Sequence, residues 1–455
     1  MFDEIIDKNK EIILKTLSDL IKFPSVSIEN DNSEYPFGKE CSDILNYILN
    51  LAQNMGFKTK NVDEYCGYIE FGEGEELVGI VGHLDVVPAL KDDGWTTPPF
   101  EPTIRDGRLY GRGSIDDKGP VVASLYAMKA IMDNVKVSKR VRLILGLNEE
   151  KNWKCINYYK THEEIPSIGF SPDANFPAIY AEKGILSLEL KNALELMDYD
   201  IIEMSCNNNA INVVPKYCSI VLKPNSNAVS CLKNSDNIKI STIDNNLIKI
   251  EAFGIASHAA HPEEGKNAIT ILIKYLIENF EIKNNYLSKL YDLGLFNIIN
   301  PDFLNCVNDE SGTLTSNIAF ANYNVDSNCI FIKINLRVPV STSLDSVIEK
   351  YKNLKSRFEN LEVIEIGRQE PLFVDKNSYL VKTLVNIFNQ KTNSHELPIA
   401  IGGGTYARAF NNFVSYGMTM PGDKDMCHQV DEYVDIDKLI ISAKIYAEAI
   451  YELAK

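Results

Sequence analysis

The sequence predicts an α/β protein in which helices flank a mixed, mostly parallel sheet, with an α+β lid domain inserted into it. Short apolar runs alternate with helical patterns in the first and last parts of the chain. The middle third changes to a different succession of strand, loop and helix. The length of 455 residues exceeds what one ordinary core needs, so two domains are expected.

The first part of the chain carries the alternating pattern. Apolar residues at helical spacing predict a helix that ends near Pro24, and a second helical pattern covers roughly 38–55. The uninterrupted run from Leu77 to Val81 is typical of a buried parallel strand. The segment "GPVVASLYAMKAIMDN" predicts a helix with Pro120 in its first turn, where a missing N–H leaves no bond unmade. The segments "RVRLILGL" and "SIGFSPDA" predict further strands.

The middle third predicts the inserted domain. The segment "LIKIEAFGIASHAAHPEEGKNAITILIKYLIENF" indicates strand, loop and helix, and "CIFIKINLRVPVSTSLDSVIEKYKNL" indicates strand, turn and helix. Together with "TLTSNIAFANYNV" they suggest a smaller α+β unit. The α/β pattern then resumes with a helix, the strand "NFVSYGMTMPG" and a C-terminal helix. We therefore expect a catalytic domain of residues 1–184 with 372–455, and an inserted domain of residues 185–371.

Composition narrows the class of partner and the compartment. The net charge of −17 argues against nucleic acid and anionic membranes, which need a basic surface. The N-terminal segment lacks a basic region and no apolar run reaches 18 residues, so neither a signal peptide nor a membrane span is expected. The nine cysteines are odd in number and show no CxxC spacing, which is typical of free thiols in a reducing cytoplasm.

Acidic and imidazole side chains follow several of the predicted strands. In open α/β sheets, ligands bind beyond the carboxyl ends of the strands. Taken singly, a loop histidine is usually solvated, and an Asp-Asp pair before a helix could be its cap. Taken together, so many acids and imidazoles at one edge need cations, and two divalent metals fit the count. The residues are His83, Asp85, Asp116, Asp117, Glu149, Glu150, Asp173 and His428.

Five ordered motifs resemble a known family. The segments "VGHLDVVP", "GRGSIDDKGP", "NEE", "SPDANFP" and "PGDKDMCHQVDEY" are similar to the dinuclear-zinc peptidases, which include aminoacylases, carnosinases, succinyl-diaminopimelate desuccinylases and PepV-type dipeptidases. The segments "GFSPDANFPAIYAEKG" and "IGGGTYAR" are most similar to the PepV-type branch. The resemblance covers nearly the whole chain. It implies a catalytic α/β domain with an inserted lid, and a monomer rather than a dimer.

The resemblance implies a ligand set for two zinc ions. His83 and Asp173 would hold one ion, Glu150 and His428 the other, and Asp116 would bridge both. Each metal then has three protein ligands and an open place for a shared water, as a catalytic site requires. Manganese or cobalt would also suit these ligands.

Further residues would act around the metals by the same resemblance. Asp85 would orient His83 from behind. Glu149 would be the general base: it would take a proton from the water between the metals and return it to the leaving amine. The metals would lower the pKa of that water, so that hydroxide forms near neutral pH. In the family the peptide bond that corresponds to Asp116–Asp117 is cis.

The inserted domain offers candidates for substrate binding. By the resemblance, His258 would stabilise the oxyanion, Arg337 would clamp the substrate carboxylate, and Asn212 would assist. Gly403 and Gly404 would bring backbone N–H groups close to a carboxylate. From the residues alone, His258 is an ordinary loop histidine and Arg337 could make a surface ion pair. The two glycines could form only a tight turn.

The leading prediction is a cytoplasmic metallodipeptidase acting on small unblocked dipeptides. Asp173 favours it, because the family typically has Asp at this ligand in dipeptidases and Glu in deacylases. One alternative is a deacylase of N-acyl or N-succinyl amino acids. The other is a non-catalytic peptide-binding relative, in which a ligand or Glu149 would be lost. The chain also departs from the family where "SCNNN" replaces the usual glycine pair before Asn212, so no dipeptide preference is carried over.

Overall fold

The chain divides into two compact units. A computed structural model describes residues 2–30, 33–208, 210–225, 232–243, 246–282, 286–306, 308–358 and 360–455. The second unit consists of Ala181–Phe373 and Ala400–Gly404, and the rest of the chain forms the first unit. The sequence-based division placed residues 400–404 in the first domain, whereas they belong to the second unit. The roles of catalytic domain and lid stay predictions.

Ten α-helices lie within the described residues, and none of them is long and apolar enough to cross a bilayer. Seven belong to the first unit, while α6, α7 and α8 belong to the second. The helices are α1 (Asp3–Lys8), α2 (Lys10–Ile21), α3 (Lys39–Asn54), α4 (Lys118–Asn134), α5 (Lys154–His162), α6 (Ala268–Asn279), α7 (Tyr286–Asp292), α8 (Leu344–Asn353), α9 (Tyr379–Thr392) and α10 (Ile436–Ala454).

The strands of the described residues are short in the first unit and longer in the second. They are β1 (Lys58–Val62), β2 (Cys66–Phe71), β3 (Leu77–His83), β4 (Thr103–Arg105), β5 (Arg108–Tyr110), β6 (Arg140–Gly146), β7 (Ile168–Ser171), β8 (Ala174–Asn175), β9 (Ile179–Glu182), β10 (Gly184–Ala193), β11 (Tyr199–Cys206), β12 (Tyr217–Pro224), β13 (Ile238–Ile243), β14 (Leu247–Phe253), β15 (Thr315–Asn324), β16 (Cys329–Val338), β17 (Glu362–Gln369), β18 (Leu372–Phe373), β19 (Ile399–Ile401), β20 (Phe413–Ser415), β21 (Met418–Thr419) and β22 (Tyr433–Asp435).

The first unit is built on a mixed sheet with the strand order β1-β2-β6-β3-β7-β20-β9. The central neighbours β6, β3, β7 and β20 are parallel. Antiparallel pairing occurs toward the two sides, between β1 and β2, β2 and β6, and β20 and β9. The predicted α/β class with a mixed sheet is confirmed, and its parallel part is the centre.

Burial explains why the central strands read as unbroken apolar runs. Every residue of β3 is buried, and β6 is buried after its first residue. Strands covered on both faces have no solvent side, so their sequences do not alternate. Helix α4 packs against α10 and α2, and α3 packs against β1 and β2. Each fully buried Val or Ile of these strands contributes roughly 1.5–3 kcal/mol of transfer free energy.

The first predicted helix is interrupted. The structure has α1 and α2 with Asn9 between them, at φ −94° and ψ 3°. The Asn9 side chain donates from Nδ2 to the carbonyl oxygen of Ile5 at 3.0 Å. Asparagine commonly competes with helix hydrogen bonding in this way, and the apolar spacing alone does not report it.

The second unit contains two antiparallel four-stranded sheets. Their orders are β15-β16-β10-β17 and β11-β12-β14-β13. Both sheets and helices α6, α7 and α8 contribute side chains to one hydrophobic core. Strand β16 lies between β15 and β10, which covers both of its edges.

Candidate metal centre

The first-unit candidates meet at one edge of the parallel sheet. His83 is the last residue of β3, Glu149 and Glu150 follow β6, and Asp173 follows β7. Since β6, β3 and β7 are parallel neighbours, their carboxyl ends lie side by side. Loops bring in the remaining ligand candidates: Asp116 precedes α4, and His428 lies between β21 and β22.

Asp116 lies between two histidines. Its Oδ1 is 3.0 Å from Nε2 of His83, and its Oδ2 is 3.0 Å from Nε2 of His428. On the first side, Asp173 Oδ2 is 3.5 Å from His83 Nε2. On the second side, Glu150 Oε2 is 3.0 Å from His428 Nε2. The five side chains therefore form two groups that share Asp116.

The Glu149–Glu150 pair splits between these two groups. Glu150 lies against His428, as above. A carboxylate oxygen of Glu149 lies within 4.8 Å of ligand atoms of both His83 and Asp173. A carboxylate oxygen of Glu150 also lies within 4.8 Å of ligand atoms of His83 and Asp116, so both glutamates lie beside imidazoles. This placement suits Glu149 either as a base or as a metal ligand.

Asp85 connects His83 to the Glu-Glu turn. Its buried carboxylate accepts the backbone N–H of Glu149 on Oδ1 at 3.0 Å and that of Glu150 on Oδ2 at 3.1 Å. His83 Nδ1 lies 2.9 Å from the backbone oxygen of Asp85 and 3.5 Å from Oδ1. Asp85 therefore contacts His83 mainly through its main chain, while its carboxylate holds the turn. The residue pattern predicted only the contact with His83.

Asp117 has a role that the sequence did not indicate. The Asp116–Asp117 peptide is cis, and Asp117 makes no side-chain cap on α4, so the capping interpretation is wrong. Instead Asp117 Oδ2 accepts the backbone N–H of His83 at 2.9 Å. Gly82 permits this approach, because a Cβ there would overlap Asp117 Oδ2.

Tyr406 supports the centre from beneath. It is fully buried, packs edge-to-face on His83 with ring centroids 6.1 Å apart, and places its hydroxyl 2.7 Å from Cys155 Sγ. A Cβ at Gly146 would collide with that hydroxyl. Tyr406 lies in the "IGGGTYAR" motif, where the sequence drew attention only to the glycines.

The carboxylates and imidazoles perturb one another. Burial disfavours ionisation of Asp116, but hydrogen bonds with His428 and His83 overcome it and lower the pKa of Asp116. Burial opposes the charged form of His428, yet Asp116 and Glu150 raise its pKa to about 11. Burial and the charge of Asp116 raise the pKa of Glu150 to about 7, and burial raises the pKa of Glu149. Such a crowded acidic cluster is stabilised by a cation.

A divalent cation fits this donor set. His83 Nε2 is buried, with carboxylate oxygens of Asp116 and Asp173 at 3.0 and 3.5 Å. Ligand atoms of His83, Asp116 and Glu150 lie within 4.8 Å of one another, and so do those of His83, Glu149 and Asp173. Two carboxylates thus converge on one buried imidazole nitrogen, and a divalent cation would be a common partner for all three groups. Imidazole nitrogens and carboxylate oxygens suit zinc, manganese or cobalt.

The second-unit candidates form a separate cluster. Asn212 accepts the N–H of Ala259 on its backbone oxygen at 2.8 Å, and Val213 forms a β-bridge with His258. The side chain of His258 accepts the N–H of Ala260 on Nδ1 at 3.2 Å. A Cβ at Gly402 would lie 3.1 Å from Cβ of Ala260, so the glycine loop approaches the His258 loop.

Arg337 belongs to the same cluster. It is 3% exposed on the central strand β16, so the surface ion pair considered above is wrong. Its Nε donates to Asn335 Oδ1 at 3.0 Å and its Nη1 donates to the backbone oxygen of Gly402 at 3.1 Å. Arg337 therefore holds the loop that contains Gly403 and Gly404.

Asn208, in the segment that replaces the usual glycine pair, has a structural use. Asn208 Nδ2 donates to the backbone oxygens of Ala210, Val213 and Ala319 at 3.0, 3.0 and 2.8 Å. Asn209 lies outside the described residues. Asn208 thereby fixes the segment that carries Asn212.

A family model described as "Peptidase family M20/M25/M40" matches residues 79–452. The chain belongs to this family. The resemblance inferred from the motifs is confirmed, and the matched range includes all the candidate ligands. As a member of the M20 peptidases, the protein is a hydrolase of the metallopeptidase class, and the family implies divalent metal ions.

Bacterial relatives of the M20 chain align over almost its whole length. The protein named "Putative dipeptidase YtjP" of Bacillus subtilis strain 168 is 35% identical, with 99% of both chains covered. A protein named "Putative dipeptidase" of Staphylococcus epidermidis is 33% identical, with 100% of this chain and 99% of the relative covered.

Solved structures of similar fold include two eukaryotic proteins. Human carnosine dipeptidase 1 has a TM-score of 0.60 at 15% identity, covering 100% of this chain and 98% of that one. The dipeptidase Dug1p of Saccharomyces cerevisiae has a TM-score of 0.57 at 14% identity, covering 99% and 98%. At these identities the likeness establishes the M20 fold alone.

Proposed function

We propose that this M20 peptidase is a metal-dependent dipeptidase that hydrolyses small unblocked dipeptides. The observation that carries the proposal is the position of Asp116 between His83 and His428, with Asp173 and Glu150 on either side. The names of the two bacterial relatives support the substrate class. Asp173 supports it as well, because glutamate would be expected at that ligand in a deacylase.

The proposed metal ligands are the residues of the two groups. His83, Asp116 and Asp173 would hold one ion, and Asp116, Glu150 and His428 would hold the other, with zinc as the proposed metal. Bound divalent ions supply Lewis-acid polarisation of the peptide carbonyl and a water pKa close to neutrality.

Glu149 is proposed as the general base. Its backbone is held by Asp85, and its carboxylate lies beside His83 and Asp173. A Glu149 oxygen would take a proton from the attacking water and return it to the nitrogen of the leaving amine, which keeps the proton count balanced. Desolvation raises the pKa of Glu149, which favours a carboxyl group that can accept a proton.

The second-unit cluster is proposed to bind the substrate. Arg337 would recognise the C-terminal carboxylate with its guanidinium fork, and Gly403 and Gly404 would add backbone N–H donors. His258 would donate to the developing oxyanion, and Asn212 would assist it. The support is that these residues share one cluster whose loops are held together by Arg337 and by the β-bridge at His258.

Location and assembly are proposed on the sequence. The scattered cysteines, without CxxC spacing, favour the cytoplasm. The resemblance to the PepV-type branch favours a monomer. Sedimentation velocity of the metal-loaded protein would test the second point, and a dimer would contradict it.

A substrate panel tests the proposed function. The apo-protein would be reconstituted with zinc, manganese or cobalt and assayed on free dipeptides, N-acetylated dipeptides, N-acyl amino acids and N-succinyl amino acids. We expect the highest kcat/KM on free dipeptides. A preference for N-acyl or N-succinyl amino acids would instead establish the deacylase. Metal binding without any turnover would favour a peptide-binding protein.

A further inference from the structure

A buried ion pair beside the metal centre has no part in the proposed hydrolysis. Arg112 and Glu432 are 4% and 0% exposed, and they lie in the motifs "GRGSIDDKGP" and "PGDKDMCHQVDEY". Arg112 Nη1 donates to Glu432 Oε2 at 2.6 Å, and the guanidinium lies 5.2 Å from the ring centroid of Trp95. The pair is neutral overall, so it adds no net charge to the acidic cluster. Its location calls for another explanation.

The second oxygen of Glu432 holds the backbone at Asp116. Oε1 accepts the N–H of Ile115 at 3.0 Å and the N–H of Asp116 at 3.3 Å. The backbone oxygen of Glu432 also accepts the N–H of Gly111 at 3.0 Å. Hydrogen bonds to an ionised acceptor are stronger than neutral ones. Because Asp116 contacts both histidines, a shift of its backbone would disturb both sides of the centre.

The other end of the pair reaches His428. Arg112 Nη2 donates to the backbone oxygen of His428 at 3.4 Å, which is a long hydrogen bond. His428 has a φ of 63°, an unfavourable value for a residue with a Cβ, and its side chain is 51% exposed. Few side chains therefore pack around the imidazole, and its position depends mainly on the contacts that hold the backbone of His428.

We propose that Arg112 and Glu432 are positioning residues that hold Asp116 and His428 at the spacing a metal ion on the His428 side requires. The inference rests on the proposed metal-dependent function. Glu432 acts through the backbone of Asp116 and Arg112 acts through the backbone of His428, so neither touches the metal. The Glu432 contact is the shorter one and supports the residue shared by both sides. Its loss has the larger effect.

Metal affinity tests this directly. Zinc and manganese would be titrated calorimetrically into the apo-proteins of the wild type, E432A, E432Q and R112K. The same titration of H428A would identify which binding event belongs to the site on the His428 side, because that event should be lost. Loss of an outer partner of a metal ligand typically weakens metal binding about 10–100-fold, and we expect that loss for E432A. E432Q keeps an acceptor for the two N–H groups and should lose less. R112K keeps the charge but not the fork, and should weaken only the ion that H428A removes.

A second buried Arg–Glu pair in the same unit provides the control. Arg142 Nε donates to Glu70 Oε2 at 2.8 Å, the two residues are 4% and 7% exposed, and Arg142 also contacts Tyr159. E70A should lower the unfolding temperature of the apo-protein but leave both metal affinities unchanged.

Three outcomes would overturn the inference. Wild-type metal affinity at both sites in E432A would show that Asp116 needs no such support. If E432A does not fold, unchanged metal affinity at both sites in E432Q and in R112K would show the same. An equal loss of affinity in E70A would show that the effect is general destabilisation. If the wild type itself binds neither zinc nor manganese, the proposed metal-dependent function fails as well. That result is distinguishable from a failure of the positioning inference alone, because it is seen in the wild type before any variant is compared.

Discussion

The candidate residues of the two units form clusters of opposite character. In the first unit, carboxylates and imidazoles face one another, and Asp116 lies 3.0 Å from both His83 and His428. In the second unit, Arg337 is bonded to Asn335 and to the backbone of Gly402, and the His258 loop is held by a β-bridge. The first cluster requires a cation to offset its negative charge, whereas the contacts of the second cluster are also those of residues with a purely structural role.

The geometry of the first cluster supports a metal-binding role more directly than the geometry of the second cluster supports a substrate-binding role. An acidic cluster without a cation is electrostatically unfavourable, so its chemistry follows from the donor set. A hydrogen-bonded arginine in a central strand serves the fold whether or not it also binds substrate.

Asp116→Ala should have the largest effect. It removes the carboxylate that lies 3.0 Å from both His83 and His428, so the two proposed metal ions would lose their shared ligand. We expect loss of both metals by elemental analysis, and of activity with them. Asp133→Ala, at an exposed residue paired with Lys129 on α4, is the control and should change neither. One ion bound at full affinity in Asp116→Ala would argue against a shared ligand.

Glu149→Gln should keep the metals and lose turnover. A general base contributes about 10²–10⁴-fold, and we expect kcat to fall by at least that range. The neighbouring variant Glu150→Gln should instead weaken the ion beside His428, since Glu150 lies 3.0 Å from that imidazole. If Glu149→Gln loses a metal, the roles of the two glutamates are reversed or shared.

His258→Ala tests whether the second-unit cluster takes part in chemistry. Removal of an oxyanion donor costs roughly 10²–10³-fold in kcat, and metal content should not change. His261→Ala is a matched control, because His261 is exposed in the same loop and pairs with Glu263 at 3.4 Å. Equal activity in the two variants would show that His258 has a structural role and takes no part in catalysis.

Arg337→Lys should have the smallest effect and the sharpest dependence on substrate. Lysine keeps the charge but loses the planar fork, and misplacing the scissile bond by about 1 Å can cost 10²-fold in rate. We expect kcat/KM to fall for free dipeptides, and wild type and variant to be similarly poor on C-terminally amidated dipeptides. An equal fall on both substrates would assign Arg337 to holding the Gly402 loop.

The residue types at the ends of the central strands could be predicted from the amino-acid sequence. Buried parallel strands read as unbroken apolar runs, so the ends of β3, β6 and β7 were visible, and with them His83, the two glutamates and Asp173. Motif order added Asp116 and His428. The break at Asn9 and the confinement of parallel pairing to the sheet centre were not visible, because neither changes the apolar spacing.

The contacts that hold those residues in place became apparent from the folded structure. The carboxylate of Asp85 bonds to the turn of Glu149, and Glu432 reaches the backbone of Asp116 from 316 positions along the chain. Arg337 proved to be buried, and its guanidinium bonds to Asn335 and to the backbone of Gly402, 65 positions along the chain. Local patterns report which face of an element is apolar, whereas these contacts depend on strand order and loop packing between residues far apart in sequence.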